Sequence, residues 1–136
     1  MKKNNKSAGF TIIELIVVIA IIAVLAAIVL VSVTQYIAKG KDSSIKGTMS
    51  SMATIAAAYY DDHTATGFVG LLTTEPFAVG IIGIEKANGA NNVTVNVISS
   101  AWCVQTKMND ATNWCVDYSG YKGTTNNCDN TAANCQ

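Results

Sequence analysis

Few side chains in this chain have types and spacings that could do chemistry. Four cysteines stand at Cys103, Cys115, Cys128 and Cys135, and the single histidine, His63, follows Asp61 and Asp62. Thiols can pair or hold zinc. The spacings of 11, 12 and 6 intervening residues contain no C-x-x-C knuckle, so an even count in a small domain predicts two disulfides rather than a zinc site. His63 beside two aspartates has the donor types of a metal site, yet at the end of a helical stretch the pattern is that of a solvated polar turn. The runs TTNNCDN and TAANC lack the Asp-x-Asp-x-Asp-Gly order of a calcium loop. The triplet Asn92, Val93, Thr94 matches a glycosylation acceptor in three residues only. No catalytic constellation, metal site or cofactor site is expected, and the chain does not read as an enzyme.

The remaining chemically notable residue is Glu14, at the head of an apolar run with no polar side chain from residue 15 to residue 31. As a helix, this run and its neighbours span about 25–30 Å, which matches a hydrocarbon core. Lys2, Lys3 and Lys6 precede it with no acid among them, so the N-terminus is expected to be cytoplasmic and the later residues exported. That places all four cysteines on an oxidising side. A cleaved secretory signal is the plain alternative, with small residues around Ala26, but the apolar stretch exceeds the usual 7–15 residues and begins with a carboxylate. A simple anchor leaves the acid unexplained, since an unpaired acid at the centre of a spanning helix costs about 2.5–3.5 kcal/mol and acids in membranes are commonly functional.

A lysine-rich leader ending in Gly9, then Phe10, Thr11, two isoleucines and Glu14, then a long apolar helix, closely resembles the type IV pilins and the pseudopilins of type II secretion and competence systems. The resemblance implies cleavage by a prepilin peptidase between Gly9 and Phe10, N-methylation of Phe10, and assembly of mature subunits into a helical filament. Phe10, Thr11 and Glu14 are then the assembly residues. The new Phe10 amine is cationic, and Glu14 of one subunit would pair with the amine of a neighbour in a low-dielectric bundle. An intrasubunit contact is also within reach, because Phe10 and Glu14 are four residues apart. The implied partners are further copies of the chain, the peptidase, the inner-membrane assembly machinery and, before assembly, the membrane itself. The subunit would be a single-pass cytoplasmic membrane protein first and part of an extracellular filament afterwards. Many family members carry a proline late in the apolar segment; this chain has Val31 there and Pro76 as its only proline, so no proline kink is expected.

The chain divides into a leader at 1–9, a membrane or filament-core helix at 10–35, its amphipathic continuation at 36–60 and a small disulfide-containing β domain at 61–136. Ile45, Met49, Met52, Ala56 and Tyr59 recur at helical spacing and mark one apolar face of the continuation. Gly40 and Gly47 lie within it and are where any softening would fall. After Tyr60, glycines at short intervals read as a connecting region with a short helix or strand around residues 79–84. NNVTVNVIS alternates as a strand with Val93, Val95 and Val97 on one face, and AWCVQTK and NWCVDYS follow as a hairpin. Centred on Asn109, that hairpin sets Cys103 opposite Cys115, with Trp102 and Trp114 on the other face, towards the helix. The predicted disulfides are therefore Cys103 with Cys115 and, by exclusion, Cys128 with Cys135, the rival being Cys115 with Cys128. The fold class is α+β, with a long N-terminal helix packed on a small antiparallel sheet, pilin-like.

Charge bears on partners. Without residues 1–9 the chain keeps six of its nine lysines against nine acids, or 6 − 9 = −3, and it has no arginine. Direct nucleic-acid binding is therefore not expected. The expected function is a structural prepilin polymerised into a type IV pilus-like filament for adhesion, motility or DNA uptake. The alternatives are a pseudopilin of a secretion or competence system and a non-polymerising membrane-anchored binding module.

Overall fold

The structure, a computed structural model, describes residues 9–89, 92–125, 127–129 and 131–135. The leader lysines Lys2, Lys3 and Lys6 lie outside the described residues. Helix α1 runs Ile12–Asp62. Val31, Gly40 and Gly47 all lie inside it, and a Cβ added at either glycine would meet open space. The helix therefore continues through the two positions where softening is expected. The chain forms two units, Met1–Ile37 and Ala38–Gln136. In the first, every described residue of the helix is exposed.

The second unit has its own core. Ile45, Met49, Met52 and Ala56 of α1 are buried, the stripe that the periodicity marks. They meet Phe77 and Ile84 from a second helix, and Trp102, Val104 and Val116 from the sheet. Phe77 and Trp102 meet edge to face with ring centroids 5.8 Å apart, a favoured aromatic geometry. Full burial of side chains of this size stabilises by about 1.5–3 kcal/mol each.

The connecting region after Tyr60 is more ordered than its glycine content suggests. A single 3₁₀ turn, Leu71–Thr73, leads into helix α2, Glu75–Asn88. The short helix or strand expected around residues 79–84 is a helix, extended by several residues at each end. Pro76 lies in the first turn of α2, where its missing N–H is no loss. Gly80 is the site of close helix approach: a Cβ there would sit 2.8 Å from the Met52 sulfur. Gly67 is more tightly constrained. Its φ is +62°, and an added Cβ would collide with the Ser99 carbonyl oxygen, which accepts the Phe68 N–H at 3.0 Å. Gly67→Ala is expected to destabilise this unit by about 2–3 kcal/mol, read as a lowered unfolding midpoint, because it combines left-handed strain with a backbone clash. An unchanged midpoint would contradict the close approach.

The sheet is an antiparallel meander, β1 Val93–Ile98, β2 Ala101–Lys107, β3 Asn113–Asp117 and β4 Lys122–Thr124, in that spatial order. Val93, Val95 and Val97 pack against the core. The β2–β3 register differs from that centred on Asn109: Cys103 pairs with Asp117, Gln105 with Cys115 and Val104 with Val116. The turn explains the shift. Met108 N–H donates to the Thr112 carbonyl at 2.7 Å, Ala111 takes φ 66°, and Asp110 Oδ1 accepts the Thr112 N–H and hydroxyl. Those two bonds, the hydroxyl first, hold the Asp110 carboxyl below the usual aspartate range. Asp42 Oδ1 also accepts the Asn109 N–H and side-chain amide, at 3.0 and 2.6 Å, which anchors the turn to α1.

A shift of two residues preserves the faces of a strand. Trp102, Val104 and Val116 still face the helix, and Cys103 and Cys115 lie on the opposite side with Cys128, Ala133 and Cys135. The disulfide pairing does change. The bonds are Cys103–Cys128 and Cys115–Cys135, with Cα separations of 5.8 and 5.9 Å. Neither expected bond, Cys103 with Cys115 or Cys128 with Cys135, is formed, and nor is the rival Cys115 with Cys128. The tail crosses the cysteine face of the sheet, helped by Asn96, whose amide donates to the Cys128 carbonyl at 2.7 Å, so each strand cysteine meets a tail cysteine.

Candidate assembly site at the start of the first helix

The first helical turn is built by its own sequence. Thr11 precedes the first residue of α1, and its hydroxyl accepts the Glu14 N–H at 3.3 Å. In return the Glu14 carboxylate accepts both the Thr11 N–H, at 2.9 Å, and the Thr11 hydroxyl, at 2.8 Å. This is a reciprocal capping box, which satisfies donors that a helix N-terminus otherwise leaves open. The signal for this cap is Thr-x-x-Glu before an apolar run, a pattern distinct from the Phe10 pairing expected of Glu14. A carboxylate in the first turn also faces the positive end of the helix dipole.

Both recorded bonds to the carboxylate end on Oε2. Oε1 carries none among the described residues, so capping leaves half of the carboxylate for another donor. Gly9 and Phe10 precede the cap and are exposed, Phe10 at 79%. Among the described residues no contact between Phe10 and Glu14 is present, and the side-chain partner of Glu14 is Thr11.

Beyond the cap, α1 offers apolar surface on every side. Side chains from Ile12 at 77% exposure to Leu30 at 66% have no buried face in this unit. It is long and apolar enough to cross a membrane. A helix apolar all round belongs in lipid or among other helices rather than in water.

The other sequence candidates lie elsewhere. His63 Nδ1 is 3.0 Å from the Tyr59 carbonyl, and its ring stacks on Tyr59 with centroids 4.1 Å apart. Among the described residues no group of three His, Cys, Asp or Glu side chains could hold a metal ion. The amide of Asn92 donates to the Asn88 carbonyl at 2.8 Å.

Residues 4–30 match the family model of the prokaryotic N-terminal methylation motif. The matched stretch includes Gly9, Phe10, Thr11 and Glu14 and continues to Leu30 of the apolar helix. It supports a type IV pilin-like or pseudopilin precursor, a structural subunit anchored through its N-terminal helix. No curated protein and no solved structure matches the chain.

Proposed function

We propose that this chain is the precursor of a filament subunit, cleaved between Gly9 and Phe10, N-methylated at Phe10 and polymerised through α1 into an extracellular type IV pilus-like filament for adhesion, motility or DNA uptake. The single observation that carries this is the methylation motif at residues 4–30, set on a helix with no buried face in its own unit. Before assembly the bilayer covers that surface; in the filament the helices of other copies cover it. A prepilin peptidase and an inner-membrane assembly machinery are the partners this route requires.

Glu14 then has two successive roles. In the precursor it caps the helix through Oε2. After cleavage the Phe10 nitrogen becomes a cationic amine, and in a helical bundle the amine of a neighbouring subunit can meet Oε1. Breaking a buried ion pair by removing one partner costs about 3–5 kcal/mol, whereas forming it adds little net stability. Such a pair therefore sets the register between subunits more than it strengthens their association.

The test is the mass and N-terminal residue of protein recovered from sheared surface material of the native host. The expected result is a chain that starts at methylated Phe10. Gly9→Leu is expected to accumulate uncut precursor in the membrane. An intact lysine-rich N-terminus confined to membranes would overturn the proposal and leave a plain anchor.

A further inference from the structure

Two adjoining hollows in the unit of residues 38–136, about 370 and about 190 Å³ in volume, share Ala57, Phe68 and Tyr118. They make one cleft. Tyr60 and Asp61 come from the last turns of α1, Ser100 from the β1–β2 turn and Tyr118 from the turn directly after β3, with the buried Trp102 behind them. Ala57 leaves room where a larger side chain would fill the space. The combined size falls within the range of small-molecule sites, roughly 300–1,000 Å³.

The lining is aromatic with unused polar groups. Tyr60 and Phe68 lie ring to ring, 4.9 Å between centroids and tilted by 38°, while Tyr60 and Tyr118 keep 42% and 48% of their surface exposed. The Tyr60 and Tyr118 hydroxyls, the Ser100 hydroxyl and the Asp61 carboxylate have no hydrogen-bond partner among the described residues. Trp102 is the telling case. It is 2% exposed, and its indole N–H has no partner either. Since no side-chain nitrogen or oxygen sealed from solvent among the described residues lacks a partner, that N–H keeps some access to solvent, and Trp102 is one of the residues that line the cleft. Asp117, also in the lining, is already engaged by neighbouring donors.

We propose that this cleft binds a neutral sugar ring. Such a ring presents an apolar C–H face to the aromatic side chains, hydroxyl hydrogens to Asp61, and hydroxyl oxygens to the Trp102 N–H and the tyrosine and serine hydroxyls. An organic cation would suit the rings and Asp61 but offers no acceptor to Trp102. A lipid chain would cover Asp61 and Ser100 without satisfying them, at a cost. The cleft is lined by residues between 53 and 120 and requires no polymerisation, so the proposal stands or falls apart from the filament reading.

The experiment is saturation-transfer NMR on the full-length protein in a non-glycosidic detergent. Glucose, galactose, mannose, N-acetylglucosamine and N-acetylgalactosamine, with tetramethylammonium beside them, are each tested at on the order of 10 mM, the range that detects millimolar affinities. At least one is expected to show transfer, with Asp61→Asn and Tyr118→Ala each weakening it about tenfold, as loss of one hydrogen bond to a charged group or one ring contact would. Both side chains are exposed, and unchanged disulfides and circular dichroism would show that the variants fold. Absence of transfer from the whole panel, transfer unaltered in both variants, or a response only to tetramethylammonium would each overturn the proposal. Normal filament formation by Tyr118→Ala is expected whichever way the sugar result falls.

Discussion

Glu14→Gln is expected to leave the protein inserted and processed at Phe10 while filaments fall by about a hundredfold or more, the equilibrium equivalent of about 3 kcal/mol or above. The choice of glutamine matters, because it separates two functions that alanine would remove together. A glutamine side-chain oxygen can still accept the Thr11 N–H, so the capping box survives. What disappears is the negative charge available to a neighbour's Phe10 amine. Thr11→Ala makes the complementary change: it removes the hydroxyl that accepts the Glu14 N–H and costs about 1 kcal/mol of helix initiation, but it keeps the charge. Filament yield from sheared cells, normalised to membrane-inserted protein, should therefore collapse for Glu14→Gln and change little for Thr11→Ala. The reverse order would assign Glu14 to capping alone, and equal normal yields would remove any need for an intersubunit pair.

How far the fold was legible in the sequence follows from which physical signals are local. The α1 stripe of Ile45, Met49, Met52 and Ala56 was readable because helical periodicity depends only on spacing. The faces of the β2–β3 hairpin were readable for a similar reason, and they survived a register error because it was an even number of residues. The register itself was not readable. It depends on Asp110 folding back to Thr112 and on Asp42, distant in sequence, holding Asn109. The disulfide pairing was hidden further, since it is decided by the path of a polar tail with no period of its own. Helix α2 was legible only as a short helix or strand around residues 79–84, because its glycines resemble breakers, while Gly80 is in fact a contact point for Met52. At the helix start the capping signal is local: Thr11 and Glu14 carry the Thr-x-x-Glu signature, which the charge of Glu14 alone does not reveal.

The tail that decided the disulfides also places the largest stability effect at Asp117. This carboxylate is 1% exposed, and it accepts four hydrogen bonds from two directions. Oδ1 takes the Ser119 N–H at 2.9 Å, the Ser119 hydroxyl at 2.7 Å and the Tyr121 N–H at 3.2 Å, while Oδ2 takes the Cys135 N–H at 2.9 Å. One side chain thus closes the β3–β4 turn and pins the tail at Cys135, beside the Cys115–Cys135 bond. Asp117→Ala would leave several donors without an acceptor, at about 1–3 kcal/mol for each that stays buried, so a total loss of about 3–5 kcal/mol is expected in equilibrium unfolding of the full-length protein. Asp117→Asn should fall between: its oxygen can serve the turn or the tail, but its amide then points a donor at the other's N–H. The tail half of the effect can be isolated by repeating the alanine change in a Cys115→Ser, Cys135→Ser background. If Asp117 and the disulfide hold the same segment, the two losses will fall short of additive by about 1 kcal/mol, as contacting groups commonly do. Additive losses would mean that the disulfide fixes the tail alone and that Asp117 acts only on the turn.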